Sequence, residues 1–176
     1  MSLPTLRSSV QKLQTALQAK AKAEPDYRFY SLWDKVYRRD VLREAYRHCR
    51  ANDGAPGVDG VTFDRIEAQG EEAWLAKLQE ELRNQTYVSL PLLRIWIPKS
   101  NGGQRPLGIP AIRDRVAQMA VLLVMGPIFE ADLCREQYGF RPGRSAKMAI
   151  QKAYFHVIER GLSEVVDADL SDYFNT

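Results

Sequence analysis

Hydrophobic positions recur at helical spacing in three segments of the first 84 residues. In the first segment the spacings of three and four give a helix with one apolar stripe, which ends near Glu24-Pro25 because proline cannot continue a helix. The members of this stripe are Leu3, Leu6, Val10, Leu13 and Leu17. A second helix is predicted from about Ser31 to Cys49 and a third from about Glu71 to Asn84. Between them, residues 52–60 hold three glycines and a proline, which predicts an ordered series of turns.

Two alternating segments that follow the third helix predict a β-hairpin. Residues 94–99 form one strand, residues 100–104 the turn and residues 105–110 the returning strand. Folding the strands about Gly102 puts Lys99 opposite Arg105, with all odd-numbered positions on one face. The other predicted pairs are Ile97 with Leu107 and Ile95 with Ile109. Prolines 98, 106 and 110 indicate an exposed or edge hairpin.

The remainder of the chain predicts two more helices and one strand. Residues 113–125 are apolar nearly all round, which is typical of a core helix, and Gly126-Pro127 is expected to break or kink it. Ser145 can cap the next helix. The apolar run from Ser163 to Leu170 predicts a strand, on which Asp167 and Asp169 share a face. The predicted fold class is therefore α+β, with a helix-rich body and an antiparallel hairpin.

The composition indicates a cellular compartment and an uneven distribution of charge along the chain. Cys49 and Cys134 form no metal or disulfide pattern and are expected to be buried, reduced thiols of a cytoplasmic protein. No apolar segment resembles a signal peptide or is long enough to span a bilayer, so no membrane partner is expected. Residues 90–145 carry eight basic side chains against four acidic ones, and the rest of the chain carries 17 against 18. The positive charge, mostly arginine, favours a phosphate-bearing partner or is a local surface bias.

Three groups of residues are candidates for chemistry, and each has a structural alternative. Lys99 and Arg105 at the hairpin tip suit a polyanion such as a triphosphate, or extend into water. Asp169, at the end of an apolar run, is a metal ligand or a cap or turn residue. Arg141 and Arg144, on a Pro-Gly turn before a helix, bind phosphate or pair with acids of their own loop.

The order of these motifs along the chain closely resembles the reverse transcriptases encoded by bacterial group II introns. The resemblance runs from about Leu32 to the end of the chain. The motifs that carry it are Asn52-Asp53-Gly54-Ala55-Pro56-Gly57-Val58-Asp59-Gly60, Ile97-Pro98-Lys99, Arg105-Pro106-Leu107-Gly108-Ile109-Pro110, Asp114-Arg115-Val116-Ala117-Gln118, Pro127-Ile128-Phe129-Glu130 and Tyr138-Gly139-Phe140-Arg141-Pro142-Gly143-Arg144-Ser145. Two departures, Gly126 where relatives often have Glu and Asp53 where Lys is common, do not touch the proposed chemistry.

The resemblance implies a role for individual residues. Asp169 is similar to the first catalytic, metal-binding aspartate of the palm, and the carbonyl of Leu170 would share its Mg²⁺, one of two ions in the intact enzyme. Lys99 and Arg105 match the pair that binds the incoming deoxynucleoside triphosphate, and Phe174 matches the aromatic that excludes a ribose 2′-OH. The resemblance assigns five further residues to nucleic acid: Gly57, Gly60, Arg113, Arg141 and Arg144.

The resemblance also implies a domain order and a set of partners. Residues 1–25 would form a basic amphipathic helix or arm, which packs on the body or lies along RNA. Residues 26–160 would form the fingers and residues 161–176 the start of the palm. The partners would be group II intron RNA or another RNA template, a primer strand and a deoxynucleotide. The intact protein would copy RNA into DNA and assist splicing. This chain holds one of the three carboxylates that would bind the two Mg²⁺ ions, so it is expected to be inactive alone. The alternative is a non-catalytic RNA-binding module that helps intron RNA to fold.

Overall fold

The computed structural model describes residues 8–100 and 102–170. The described residues form two compact units, one up to Asp132 and one from Leu133 onwards. The elements, in chain order, are α1 (Ser9–Ala23), α2 (Trp33–Val36), α3 (Arg39–Asn52), α4 (Phe63–Gln69), α5 (Glu71–Arg83), β1 (Leu93–Pro98), β2 (Gln104–Ile109), α6 (Ile112–Asp132) and α7 (Ala146–Tyr154), which continues as a π-helical turn over Phe155–Glu159. The α+β class with one antiparallel hairpin is thus confirmed. None of the helices in this part of the chain is long and apolar enough to cross a membrane.

Helix α1 begins at a capping box and packs on the body of the first unit. The Ser8 hydroxyl accepts from the Gln11 amide at 3.2 Å, and the Gln11 side chain accepts from the Ser8 amide at 3.0 Å. Its apolar stripe is buried at Val10 and Leu17, mainly against α6, and the helix ends two residues before Pro25. The predicted helix is therefore confirmed over its described length, and its stripe packs on protein.

The hydrophobic core of the first unit lies where α3 packs against α6 and α5. Its largest fully buried side chains are Leu42, Ile66, Leu75, Leu82, Ile112, Val41, Val116 and Val124. Cys49 belongs to this core, and burial raises the pKa of its thiol. Cys134 is exposed, so the prediction of two buried cysteines is wrong for that residue.

The predicted second helix is two helices in the structure. Helix α2 ends at Val36, and Arg38 has an extended backbone with ψ of 136° before α3 begins. The Asp40 carboxylate accepts from the Val41 amide and from the Arg38 guanidinium, so polar groups at the break are satisfied locally. Helix α4, which the sequence analysis did not predict, begins after Thr62, whose hydroxyl accepts from the Arg65 amide.

Helix α6 passes through Pro127 without ending there. Proline has no amide hydrogen, so the carbonyl four residues earlier, that of Leu123, loses its donor within the helix. The side-chain amide of Gln14, from α1, donates to this carbonyl at 3.0 Å. Of the break or kink expected at Gly126-Pro127, the break is wrong, since the helix continues to Asp132. A residue of another helix supplies the missing donor.

The hairpin has a different register from the predicted one. Strand β1 pairs with β2 so that Ile97 lies opposite Arg105 and Ile95 opposite Leu107. The predicted pairing of Lys99 with Arg105 is wrong by two residues. The turn is shorter than expected, because the Lys99 amide donates to the Gly103 carbonyl at 2.7 Å and closes it. A shift of two residues leaves each side chain on its predicted face.

The second unit exposes most of its side chains. Helix α7 begins at Ser145, whose hydroxyl accepts from the Met148 amide at 3.3 Å, as predicted, but none of its residues is buried. The strand predicted for residues 163–170 is not formed, and every residue from 161 to 170 is exposed without regular structure. A strand needs a hydrogen-bonded neighbour, and within the described residues β1 and β2 pair only with each other.

Candidate functional site

The turn at the hairpin tip is closed by Gly102, a glycine in the left-handed conformation. The Gly102 amide donates to the Lys99 carbonyl at 3.1 Å, and Gly102 has a φ of 82°. A turn followed by a left-handed residue is one of the common ways to join two twisted strands. It places Lys99 opposite Gly103, a residue without a side chain.

Lys99 and Arg105 are diagonal neighbours on one face of this tip. They line an open depression of about 400 Å³ together with Pro98 and Ser100. Both side chains are exposed, and no carboxylate among the described residues forms an ion pair with either. Diagonal neighbours across two strands lie about 7–8 Å apart. Two cations at this separation can contact different oxygens of one polyanion.

The base of the hairpin is held by a buried carboxylate. Asp114, in the first turn of α6, is 2% exposed and accepts from the Tyr87 hydroxyl and, at 3.1 Å, from the Leu90 amide. Burial and this hydrogen bond raise the pKa of the Tyr87 hydroxyl well above its usual value. Leu90 lies three residues before β1, so Asp114 fixes the segment through which the chain enters the hairpin.

Arg113 is engaged on the same side of α6. Its Nη2 donates to the Glu81 carboxylate at 2.5 Å, and its guanidinium lies 5.0 Å from the centre of the Tyr87 ring. These contacts join α6 to the end of α5 and to the segment that leads to β1. The structure therefore places this predicted nucleic-acid residue in a structural network, with about a quarter of its side chain exposed.

The two glycines assigned to nucleic acid differ in their surroundings. Gly57 is buried, and a Cβ placed there would lie 2.6 Å from the backbone N and Cα of Ala111. Gly60 is exposed with a φ of 64°, and nothing lies within 4 Å of its Cβ position. The Gly60 amide donates to the Gly57 carbonyl at 3.1 Å. Thus Gly57 serves close packing, whereas the backbone at Gly60 is open to a ligand.

In the second unit, Arg141 and Arg144 hold their own loop. Arg141 Nη1 donates to the carbonyls of Cys134 at 2.6 Å and Gln137 at 2.9 Å. The Arg144 guanidinium lies 5.5 Å from the centre of the Tyr138 ring. Both arginines precede the N-terminus of α7, as predicted, but Arg141 donates hydrogen bonds to backbone carbonyls of its own loop.

Asp169 and Leu170 lie in the exposed segment at the end of the second unit. One Asp169 oxygen accepts from the neighbouring Leu170 amide at 2.9 Å, which is a local turn contact. A divalent ion needs several convergent oxygen ligands, and within residues 8–100 and 102–170 no three acidic, histidine or cysteine side chains converge in that way. The described residues alone therefore supply no complete magnesium site, and the two-ion site of the intact protein stays a prediction. Phe174 lies outside the described residues.

Sequence reasoning missed the two neighbouring residues that anchor the hairpin. Asp114 and Arg115 contact segments that are 24 to 60 residues away in the chain, a separation that local patterns cannot reveal. One signal was present, since both charges stand at the start of an otherwise apolar helix. A charged pair in such a position requires partners.

Comparison with known proteins identifies relatives of this chain. No protein-family model matches it. Protein YkfC of Escherichia coli is 40% identical over 172 residues, which are 95% of this chain and 45% of that protein. The group II intron-encoded protein LtrA of Lactococcus lactis is 33% identical over 124 residues, which are 70% of this chain and 20% of that protein. A putative intron 1 protein of the COX1/OXI3 gene of Saccharomyces cerevisiae is 28% identical over 78% of this chain and 16% of its own length.

The chain spans less than half the length of each of these curated relatives. Two of the three are named for the introns that encode them, and their similarity covers most of the chain. The names of these two relatives agree with the family that the order of motifs resembles. The chain therefore belongs to the family of group II intron-encoded proteins, as its motifs predicted.

Proposed function

We propose that this chain supplies the nucleotide-binding fingers of an RNA-directed DNA polymerase of the group II intron type. Its partners would be intron RNA or another RNA template, a primer strand and a deoxynucleoside triphosphate. The observation that carries the proposal is the pair of cations at the hairpin tip, Lys99 and Arg105, which line one depression and form no ion pair among the described residues. Family membership favours this reading over that of a chance surface charge.

The tip can bind a triphosphate through charge-assisted hydrogen bonds. Lysine offers a mobile ammonium group, and arginine offers a planar fork that matches two phosphate oxygens. Placed diagonally, the two side chains can hold different phosphates of one chain, which orients the nucleotide as well as binding it. Among the described residues, nothing lies within 4 Å of a Cβ placed at Gly102, which allows close approach there. Within this proposal, the chain binds the triphosphate and positions it.

The test compares substitutions on the two faces of the same hairpin. Lys99→Ala and Arg105→Ala are each expected to weaken binding of a fluorescent deoxynucleoside triphosphate by about tenfold or more, since a hydrogen bond to a charged group contributes about 1.5–3 kcal/mol. Arg94→Ala is the matched control. It removes an equal charge from β1, opposite Gly108 and on the other face, and should change the affinity less than about twofold.

Equal and small losses for all three variants would show that the hairpin attracts anions only by its overall charge, and would refute the proposed site. The measurement is a fluorescence anisotropy titration at two salt concentrations. Specific contacts should leave a difference between the faces at the higher salt, where long-range attraction is screened.

The same variants distinguish the proposed triphosphate site from the alternative, a non-catalytic RNA-binding module. It requires RNA affinity that does not depend on Lys99 or Arg105, together with no measurable affinity for a free triphosphate. The domain limits at residues 25 and 160, the metal role of Asp169 and the sugar contact of Phe174 belong to the proposal and need the intact protein for a test.

A further inference from the structure

One arginine links the hairpin to the glycine-rich segment of residues 53–60, here called the glycine loop. Arg115, in the first turn of α6, donates from Nε to the Pro110 carbonyl at 2.9 Å and from Nη2 to the Ala55 carbonyl. Pro110 directly follows β2, and Ala55 lies in the middle of the glycine loop. A single guanidinium group therefore bridges two segments that are 55 residues apart in the chain.

The backbone packing around this bridge is close on both sides. A Cβ at Gly54 would lie 2.7 Å from Arg115 Nη1, and a Cβ at Gly57 would lie 2.9 Å from the Pro110 carbonyl carbon. The two glycines thus let the loop approach the guanidinium and the end of β2. Within the described residues Arg115 forms no ion pair, and its guanidinium donates to the two carbonyls instead.

We propose that Arg115 is a positioning residue that makes the glycine loop and the hairpin move as one unit, and so holds Lys99 and Arg105 in place for a bound triphosphate. This inference rests on the proposed function of the hairpin tip. A planar guanidinium suits the role because its donors have fixed relative directions. A lysine has the charge and the reach for one carbonyl, but not the fork that fixes two.

The length of the hairpin shows why its base matters. Six residues of β2 extend about 20 Å from Pro110 to the tip. A rotation of about 10° at the base would therefore displace the tip by about 3 Å. That displacement exceeds the range within which a hydrogen bond keeps its strength. Small losses of order at Pro110 are thus amplified at Lys99 and Arg105.

Hydrogen exchange measured by mass spectrometry tests the mechanical link on the full chain. Arg115→Met and Arg115→Lys should each raise amide exchange about tenfold or more in two segments together, residues 54–60 and residues 104–111. Arg47→Met is the matched control. That arginine is exposed, pairs with Glu44 on its own helix and touches neither segment, so exchange in both should stay as in the wild type. The lysine variant keeps the charge, so it separates loss of the bridge from loss of charge and serves if the methionine variant does not fold.

Affinity for inorganic tripolyphosphate then tests the positioning role. Arg115→Lys should weaken binding several-fold in the wild-type background and have no further effect when Lys99 and Arg105 are already alanine. Faster exchange in the loop with an unchanged hairpin, or unchanged affinity with both segments loosened, would overturn the proposal. So would an equal loss in the alanine background, because it would mean that Arg115 contacts the anion itself. If wild-type protein binds no tripolyphosphate, the proposed function fails, and the exchange data still decide whether the two segments are linked.

Discussion

Gly57→Ala is the substitution that tests most directly how the glycine loop meets the hairpin. Gly57 is buried, and its neighbours on the other side are backbone atoms. The added methyl group would lie 2.6 Å from the N and Cα atoms of Ala111 and 2.9 Å from the carbonyl carbon of Pro110. A flexible side chain could rotate away, whereas these atoms can move only if the link between β2 and α6 moves with them.

The expected cost follows from the distance that must be gained. Ordinary contacts of a Cβ begin at 3.4 Å, so the loop or the link has to retreat by about 0.8 Å at this point. Overpacking of this kind in a close-packed interior costs about 1–3 kcal/mol. That is a large share of the about 5–15 kcal/mol by which a domain is stable. We expect the upper half of the range, because backbone is on both sides of the contact.

Gly60→Ala is the matched control, because Gly60 lies in the same loop but its substitution would destabilise the fold through backbone strain and not through a steric clash. Its φ of 64° is strained for alanine, and the space around it is open. The left-handed conformation costs about 1–2 kcal/mol, partly offset by the smaller entropy of the unfolded alanine chain. Its effect on stability should be near 1 kcal/mol, and it should leave the hairpin unchanged.

The assay is urea unfolding followed by circular dichroism, combined with hydrogen exchange of residues 104–111. Gly57→Ala should lower the free energy of unfolding more than Gly60→Ala and should alone raise exchange in the hairpin. If the two variants cost the same and neither affects the hairpin, Gly57 does not pack on the link, and the reasoning is wrong.

Two further predictions concern buried polar groups. In Asp114→Asn, one of the two groups that donate to this side chain, the Tyr87 hydroxyl or the Leu90 amide, would face an amide NH₂ instead of an acceptor. The free energy of unfolding measured in urea should fall by about 2–3 kcal/mol. A loss below about 0.5 kcal/mol would contradict the anchoring role of Asp114. Burial raises the pKa of Tyr46 to about 12, so above pH 10 the unfolded chain loses this proton first and stability should fall by up to about 1.4 kcal/mol per pH unit until pH 12. Tyr46→Phe should reduce that slope and cost nothing at pH 7, since the hydroxyl has no partner among the described residues; an unchanged slope would contradict this.

Local patterns were sufficient for the elements whose determinants are close in sequence. The stripe of α1, the Ser145 cap and the hairpin depend on residues a few positions apart, and these predictions agree with the structure. The predicted register of the hairpin was wrong because it depends on whether Lys99 pairs with Gly103 or with Arg105 across the turn. Residue types alone do not decide between those pairings.

The candidate site was predictable in part for the same reason. Side-chain alternation puts Lys99 and Arg105 on one face in either register, so their proximity could be inferred. The roles of Asp114 and Arg115 depend on contacts made only after α6 has packed on the core. The strand expected at residues 163–170 is not formed, because an apolar run indicates only a preference for extended structure, and a strand also needs a hydrogen-bonded partner.

The bond between Gln14 and the Leu123 carbonyl has a consequence for how α1 finds its place. An apolar stripe on a helix of leucines, valines and alanines looks much the same after a slide of one turn, about 5.4 Å. Shape alone therefore distinguishes poorly between neighbouring alignments of α1 along α6. Pro127 frees one carbonyl on the face of α6 that α1 covers, and only one alignment brings the Gln14 amide to it. A residue that weakens one helix thus marks the position at which another must dock.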